Sequence, residues 1–488
     1  MNSNYSSKLS MEIIHELFRI SKSLSVAGAC HPLDTQMYAH CFGSSKMASI
    51  FAERNVQQKR LDTEVALLKV QAEMDMIPEE VVEQVEEKAI LDELLLERIV
   101  FHFRKTQNDI VALVRALGER CDDFSREYIH YGATSQDIHI TGLALLLKEA
   151  VVLLHQEITI LEQTLAHVAK NHRNSLMAGR THGQLALPIT FGYKVALWLH
   201  SLNEHKARLE QLYPRLLVGH MKGGVGTHAS FGVPQGIDME KHLMQALGLG
   251  WSPVNLQPSE ERYVEFLSWQ SLLSCTLGRI CAEIRYLHRS EVGEVREAFE
   301  NGVQVGSSAM PHKRNPELSE TLQGLVYKVQ SNALCMTRVF QEHERDATRN
   351  PNEHLLIAES CIITARLLEG VNELLQNLEV NQDRMRENLK LDYGLIASEP
   401  VMMALAKKIG KKQTAHQIVY ECAMNTYASG QPFVEILKAD VRVTSHLSEE
   451  ELAEALSLEN YIGSSQWQVD YVLSQNHQFL SDYLCWYI

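Results

Sequence analysis

A continuous stripe of apolar residues between positions 138 and 172 constrains the fold of this chain more than any other feature. Its members recur every three or four residues over about nine turns of helix, which is longer than most helices of globular proteins. The stripe consists of Leu143, Leu146, Leu147, Val151, Leu154, Ile158, Leu161, Leu165 and Val168. A rod with one apolar side must bury that side against other rods, which favours a helical bundle.

Four further segments have the same spacing of apolar residues. They run from about 189 to 212, 262 to 288, 316 to 343 and 355 to 378. The chain has only 12 Pro and 26 Gly, and it has no self-similarity at a fixed period, which argues against a helical repeat protein. We therefore predict an all-α fold with a long central bundle. Where an apolar stripe is wider than one partner can cover, we expect oligomerisation.

Composition excludes several classes of function. A chain of 488 residues, of which 45% are hydrophobic, buries a large core that should divide into two or three domains. The formal charge of −15 disfavours binding to nucleic acid or an anionic membrane, so an anionic substrate needs a locally positive pocket. No signal-peptide pattern or membrane-length apolar run is present, and we expect a cytoplasmic protein. The 22 histidines form no metal-ligand motif, and we expect no metal and no organic cofactor.

Four short stretches interrupt the helical pattern. Each has an ordinary structural interpretation: a helix N-cap, a solvated turn, a basic surface loop and a charged helix end. The third concentrates two glycines, two adjacent hydroxyls and several donors in one loop, which a solvated loop does not explain. In chain order they are YIHYGATSQD at 128–137, GRTHGQ at 179–184, GVQVGSSAMPHKRNP at 302–316 and EHERD at 342–346.

The GSSAMPHKRNP segment at 306–316 resembles the signature loop of the fumarase/aspartase superfamily. Its HKRNP form is that of adenylosuccinate lyases and the related carboxymuconate-lactonizing enzymes, and the other three stretches match in the same order. The similarity runs from about residue 44 to 473. It implies three helical domains, which we place at residues 1–134, 135–385 and 386–488, and a homotetramer with a twenty-helix core. In such proteins each active site collects motifs from three subunits.

The resemblance also implies the chemistry and the residues that perform it. A proton is removed from a carbon beside a carboxylate, and a leaving group is expelled from the neighbouring carbon. Ser307 matches the base, Lys313 and Asn315 match the groups that stabilise the aci-carboxylate intermediate, His182 matches the general acid, and Glu320 matches its orienting partner. The residues expected to bind a small dicarboxylate substrate are His130, Thr134, Ser135, Arg180, Gln257, Ser308, Met310, Arg345 and Arg349.

The leaving group is less constrained, because residues that hold the nucleotide phosphate in adenylosuccinate lyases are replaced here by Cys41, Phe42, Asn108, Asn350 and His354. Arg349 or His354 can compensate. We expect elimination of fumarate from an N-succinyl substrate, with adenylosuccinate of purine nucleotide biosynthesis first. The second candidate reaction is carboxymuconate cycloisomerisation, which residues 394–399 and 461–463 favour. The third is the release of fumarate from another C–N substrate. The non-enzyme alternative is a catalytically inactive structural homologue, against which the intact Ser307, Lys313, Asn315 and His182 argue.

Overall fold

The computed structural model describes residues 31–257, 261–338 and 348–475, and helices dominate all three ranges. The first part of the chain forms six helices that precede the central bundle. They are α1 (Ala39–Phe42), α2 (Ser45–Ile50), α3 (Glu53–Glu73), α4 (Glu79–Glu86), α5 (Glu93–Thr106) and α6 (Asp109–Gly118). Short 3₁₀ turns lie at Pro32–Asp34 and Ser125–Tyr128.

The central part contains the five predicted rods, together with two shorter helices, a π-helical turn and four short strands. These elements are α7 (Ser135–Asn171), β1 (Leu176–Thr181), β2 (Gln184–Thr190), α8 (Phe191–Leu216), α9 (Gln235–Leu247), α10 (Glu261–His288), β3 (Val295–Arg296), α11 (Glu317–Met336), α12 (Asn350–Asn352), a π-helical turn (Glu353–Ile357), α13 (Ala358–Gln376) and β4 (Glu379–Val380). The rods pack as a bundle in which α7 contacts α8 and α13, while α10 contacts α8, α11 and α13. The predicted all-α bundle is therefore confirmed, and the end of the rod predicted to reach residue 343 lies outside the described residues.

The apolar stripe of α7 is the centre of the main hydrophobic core. Leu147, Leu154, Leu161 and Leu165 are fully buried. The helix is long and apolar enough to cross a membrane by length and composition alone. Because its apolar residues pack against neighbouring helices of the bundle, we interpret it as a core helix.

The C-terminal part folds largely around a core of its own. Its helices are α14 (Gln382–Asn388), α15 (Ser398–Ile409), α16 (Lys412–Ser429), α17 (Phe433–Ala439), α18 (Val441–Thr444), α19 (Glu449–Leu456) and α20 (Ser465–Gln475), with 3₁₀ turns at Leu395–Ala397 and Leu458–Tyr461. Val401, Leu405 and Phe433 form one buried cluster, and Leu61, Leu95 and Leu113 belong to a separate one in the N-terminal part. Helix α20 packs on α8, and its Val469 joins the main core.

A β-hairpin interrupts the helical pattern directly after α7. Strands β1 and β2 pair in antiparallel register, with an irregularity between Ala178 and Arg180. His182 and Gly183 form the turn with φ values of 54° and 76°, and left-handed backbone at both central positions is what a two-residue hairpin turn requires. The helical periodicity did not predict these strands. A second, two-residue pairing joins β3 to β4.

Candidate active site

The start of α7 is organised around the buried carboxylate of Asp137. Its Oδ2 accepts hydrogen bonds from the backbone N–H groups of Thr134 (2.9 Å) and Gly223 (3.0 Å). Its Oδ1 accepts from the Lys222 N–H (3.0 Å) and from Nδ1 of His220 (2.7 Å). Asp137 therefore holds the first turn of the helix against residues 220–223, and it is fully buried.

This arrangement leaves polar groups of the 128–137 stretch available to a ligand. Thr134 and Asp137 form a capping box at this helix start. The side-chain hydroxyl of Ser135 forms no hydrogen bond with another described residue, and it lies where free backbone N–H groups favour a carboxylate. His130 has left-handed backbone (φ 66°), and its Nδ1 lies 2.7 Å from Oε1 of the buried Glu64. Burial alone would lower the pKa of His130, but the contact with Glu64 outweighs it and raises this pKa.

Gln257 and Arg349 join the same half of the site. Gln257 Nε2 donates to the Gly223 carbonyl at 3.1 Å. Arg349 donates from Nη1 to the Gln257 carbonyl, and its Nε lies 3.3 Å from Oε1 of Glu353. Arg349 is only 1% exposed and supports the backbone of Gln257, and its predicted contact with substrate stays a prediction. Arg345 lies outside the described residues.

The 179–184 stretch is the tip of the β1–β2 hairpin. His182 is exposed there, and no other described residue hydrogen bonds its ring. Arg180 does not point a free guanidinium at the solvent, because it forms a two-point ion pair with Glu294 (Nη1–Oε2 2.9 Å and Nη2–Oε1 2.6 Å). Asn388 also donates to Glu294, at 2.8 Å. Arg180 therefore fixes the hairpin to the body of the protein, whereas the sequence predicted a substrate contact.

Two backbone N–H groups of the 302–316 loop donate hydrogen bonds to the hydroxyl oxygen of Ser307. Ser307 Oγ accepts hydrogen bonds from the backbone N–H groups of Met310 (3.0 Å) and Ala309 (3.3 Å). Asn315 Nδ2 donates to the Gly306 carbonyl at 2.6 Å, which ties the two ends of the loop together. Gly306 lies so close to the Lys313 carbonyl that a Cβ atom would not fit. The side chains of Ser308, Met310 and Lys313 are exposed on this loop.

Glu320 lies in the first turn of α11, directly after the loop. Its Oε1 is 3.8 Å from Nη2 of Arg285, and it makes no contact with His182 of the same chain. The predicted pairing of Glu320 with His182 is therefore not formed within one chain.

The start of α7 lies at one end of the molecule, and the β1–β2 hairpin and the 302–316 loop lie at the other. Its 37 residues span about 55 Å, with the Thr134 half-site at its start and the hairpin directly after its last turn. The 302–316 loop belongs to the hairpin end, because it follows β3 and Glu294, the partner of Arg180. One chain therefore does not bring Thr134 and Gln257 together with His182 and Ser307.

A cleft of about 480 Å³ adjoins the loop. It is lined by His40, Cys41, Gly306, Asn315 and Arg366, among others. Arg366 Nε donates to the Cys41 carbonyl at 3.3 Å, and no motif in the sequence singled out this arginine.

The positions that replace phosphate-binding residues of adenylosuccinate lyases have other uses here. Asn108 caps helix α6, because its Oδ1 accepts from the Val111 N–H at 2.9 Å. The ring of Phe42 stacks on that of Tyr38, with centroids 5.5 Å apart. Asn350 begins the short helix α12, and His354 lies in the π-helical turn that follows. Within the described ranges, no three His, Cys, Asp or Glu side chains form a group that could hold a metal ion.

Comparison with known proteins gives consistent matches. Residues 42–331 match a family model described as lyase, and residues 394–472 match one described as adenylosuccinate lyase C-terminus. The chain is 36% identical to adenylosuccinate lyase of Methanocaldococcus jannaschii, over 91% of this chain and 96% of that protein. It is 35% identical to N-acetyl-S-(2-succino)cysteine lyase of Dickeya dadantii, over 91% of this chain and 97% of that protein. The crystal structure of 3-carboxy-cis,cis-muconate lactonizing enzyme from Pseudomonas putida superposes with a TM-score of 0.84 at 30% identity, over 92% of this chain and 100% of that one.

Proposed function

Because this chain belongs to the lyase family of the fumarase/aspartase superfamily, we propose that it eliminates fumarate from a succinylated substrate, with adenylosuccinate as the first candidate. The observation that carries the proposal is the pair of backbone N–H groups directed at Ser307 Oγ. A serine becomes a useful base only where fixed donors stabilise its alkoxide, and the loop supplies them.

The elimination proceeds in two proton transfers. Ser307, as its alkoxide, removes the proton from the carbon beside a substrate carboxylate, and the electron pair moves into that carboxylate to give the aci-carboxylate. The Lys313 ammonium and the Asn315 amide stabilise the added negative charge. The electron pair then forms the carbon–carbon double bond as the bond to the leaving nitrogen breaks, and His182 donates a proton to that nitrogen. The products are fumarate and the free amine.

The proposed active site requires several copies of the chain. The half-site at the start of α7, with His130, Thr134, Ser135 and Gln257, binds the dicarboxylate part of the substrate. Since His182 and Ser307 lie at the other end of α7, each of them acts on substrate bound by another subunit, and the His182 and Ser307 that meet at one site come from different chains. We propose a homotetramer with shared sites, acting in the cytoplasm on a small-molecule dicarboxylate. In this assembly Glu320 orients His182 across a subunit boundary.

Two findings make adenylosuccinate the first candidate substrate. The C-terminal family model is described as adenylosuccinate lyase C-terminus, and several relatives named adenylosuccinate lyase are 34–38% identical to this chain over most of its length. Carboxymuconate cycloisomerisation stays an alternative because of the structural similarity to the lactonizing enzyme. The histidine at position 182 favours elimination over lactonisation, since a departing amine needs a proton donor.

An S-succinylated thiol is a second candidate substrate. Two relatives named N-acetyl-S-(2-succino)cysteine lyase are 35% identical over 91% and 93% of this chain. Cys41, Phe42 and Asn108 offer no positive charge to a phosphate, and Asn108 is already used as a helix cap. A thiolate leaving group also needs less help from a general acid than an amine does.

The test is a substrate panel followed by ultraviolet absorbance, which detects fumarate released by elimination and the loss of the conjugated diene of 3-carboxymuconate on lactonisation. Adenylosuccinate, N-acetyl-S-(2-succino)cysteine and 3-carboxymuconate are offered side by side to the purified oligomer, with the Ser307→Ala variant as the control for background reaction. We expect serine-dependent fumarate release from one of the first two. Turnover of 3-carboxymuconate alone would overturn the proposed elimination, and turnover of none of the three would exclude all of these candidates.

A further inference from the structure

A second cavity lies beside the substrate half-site and was not singled out by any motif. It has a volume of about 140 Å³ and lies between helix α3, the first turns of α7 and the π-helical turn Glu353–Ile357. Arg60, His139, Glu353 and His354 provide its polar lining, and Leu143 and Ile357 contribute to its apolar lining. A cavity of this size accommodates a group of several heavy atoms.

The polar wall of the cavity is rigid. Arg60 Nη2 lies 3.1 Å from Oδ2 of Asp109 and donates to His139 Nδ1 at 3.2 Å. His139 Nε2 lies 3.2 Å from Asp109 Oδ1, so the imidazole is fixed between the guanidinium and the carboxylate. Burial alone would raise the pKa of Asp109, but His139 and Arg60 outweigh it and hold this pKa well below its usual range. Asp109 is therefore ionised whenever the protein is folded at neutral pH.

His354 is the polar group of this wall that is open to a ligand. Its ring lies edge-on to that of His139, with centroids 6.2 Å apart, and no described residue forms a hydrogen bond with its ring nitrogens. Partial burial, Arg60 and His139 lower the pKa of His354, and Glu353 and Asp109 oppose this shift without reversing it, so the imidazole is neutral at neutral pH. An entering anion gains a donor from this imidazole and attraction from Arg60.

Two structural links join the cavity to the half-site. His139 lies one helical turn after Ser135, on the same face of α7. On the other side, Glu353 lines the cavity and is the ion-pair partner of Arg349, which in turn supports Gln257. We infer from these two links that the outer part of a substrate held at Ser135 and Gln257 extends towards His354.

We propose that this cavity, the leaving-group pocket, binds a terminal oxyanion of the leaving group through His354 and Arg60, whether that oxyanion is a phosphate monoester or a carboxylate. The inference rests on the proposed elimination reaction, because it is the neighbouring half-site that defines which part of the substrate enters the pocket. Arg60 and His354 thus supply the anion site that Cys41, Phe42 and Asn108 do not.

Binding of the free leaving groups tests the pocket without requiring turnover. Calorimetry on the intact oligomer compares adenosine monophosphate with adenosine, and N-acetylcysteine with its uncharged amide. We expect one of the two anions to bind about tenfold to a hundredfold more tightly than its uncharged partner. The pair that shows this preference identifies the source of the oxyanion. If neither anion is preferred, the proposed pocket is wrong.

Substitutions then locate the preference. His354→Leu should abolish the preference for the anion, whereas His354→Arg should retain it. His416→Leu, at an exposed position of α16, is the matched control and should change nothing. Equal weakening of charged and uncharged ligands in His354→Leu would overturn the proposal.

A steric variant keeps the test independent of His354. Ala358 also lines the pocket, and Ala358→Leu should fill it and remove the anion preference while the melting temperature stays within a few degrees. Gly142→Ala places a methyl group 3.4 Å from Arg60 Cγ and should have a smaller effect in the same direction, with Gly118→Ala in α6 as its control. Fumarate release is measured separately. If the protein releases fumarate but shows no anion preference, the proposed pocket is wrong and the proposed elimination stands. If it shows the anion preference but releases no fumarate, the proposed elimination is wrong.

Discussion

At the scale of single residues, the conformation of the loop around Ser307 determines its chemistry. An isolated serine hydroxyl is too weakly acidic to provide a base at neutral pH. The turn at Ser307 directs the N–H groups of Ala309 and Met310 at its oxygen before any substrate is present. Such preorganised dipoles stabilise an alkoxide without any cost of reorganisation during the reaction. The proline and small residues of the loop, which a simple basic surface loop would not need, make this turn possible.

Replacing Ser307 therefore tests the mechanism directly. We expect Ser307→Ala to lower kcat by about a thousandfold, because the proton on carbon loses its acceptor. The oligomer and its melting temperature should stay unchanged, since the hydroxyl is partly exposed and its bonds are local to the loop. Ser308→Ala is the control, because no described backbone N–H is directed at that hydroxyl, and it should affect mainly KM. Full activity in Ser307→Ala would remove this serine from the reaction.

The sequence predicted the loop and turn positions of some candidate residues but not the ion-pair partners of two arginines, and the roles of all of them stay predictions. Ser307, Asn315 and His182 lie on a loop and a turn, as their composition predicts. Arg180 and Arg349 were predicted to contact substrate, but Glu294 and Glu353 engage them. Glu294 is 114 residues away from Arg180 in the chain, and no local pattern shows such a partner. Arg60 and His139 were missed for the same reason, because helices far apart in sequence bring them together.

The ion pair of Arg180 gives a second prediction. Glu294 is fully buried, so Arg180→Met leaves a buried carboxylate without its cation, at a cost of about 3 kcal/mol of folding free energy. We expect a lower melting temperature and lower kcat, since the hairpin that presents His182 is released. The double variant Arg180→Met/Glu294→Met should regain much of the melting temperature. Thermal unfolding of the unchanged protein, the single variant and the double variant measures these melting temperatures. Identical values in all three would show that the ion pair does not stabilise the fold.

At the scale of elements, apolar periodicity determined which parts of the chain were predictable. The five long rods were confirmed because each buries one face along its whole length, and the spacing of that face is visible in the sequence. The β1–β2 hairpin was missed because its strands are short and partly buried, so neither period dominates. Its one local signal is the His-Gly pair at 182–183, which suits a turn with two left-handed residues. The π-helical turn at Glu353–Ile357 has no signal that periodicity detects.

The contact between helices α8 and α10 makes stability depend on pH. His205 of α8 is buried and lies 2.9 Å from Thr276 Oγ1, while Arg208 donates to its Nδ1 at 3.3 Å. Burial, Arg208 and Arg279 lower the pKa of His205 to about 4. The neutral ring therefore stabilises the fold above the ordinary value of 6.5, and this contribution is lost as pH falls from 6.5 towards 4.

We expect this loss to reach about 3 kcal/mol of unfolding free energy between those two pH values. Denaturant unfolding at a series of pH values measures it. His205→Gln keeps a polar group beside Thr276 without a titrating ring, and it should flatten the pH dependence in this range. His416→Gln, at an exposed position, is the control and should retain the full slope. The same slope in His205→Gln and in the unchanged protein would assign the acid sensitivity to other groups.

At the scale of the whole molecule, the length of α7 decides how the active site is assembled. The helix separates the half-site at Thr134 from the hairpin by about 55 Å, and α8 and α13 pack against it. Local sequence patterns identified both ends but not their relation to each other. Only the three-dimensional path of the rods shows that one chain cannot bring them together. The proposed oligomer follows from this geometry and from the exposed apolar residues on the bundle, such as Leu197, Leu272 and Tyr327.

Mixed oligomers test this assembly. Ser307→Ala and His182→Asn should each be inactive as pure proteins, because every site then lacks its base or its acid. If Ser307 and His182 of each site come from different subunits, random mixing of equal amounts leaves about one quarter of the sites with both groups intact. We therefore expect co-expression of the two variants to restore about a quarter of the normal kcat, whereas mixing the folded oligomers without subunit exchange restores none. Co-expressed protein that stays inactive, although mass spectrometry shows mixed oligomers, would place Ser307 and His182 of each site on one chain.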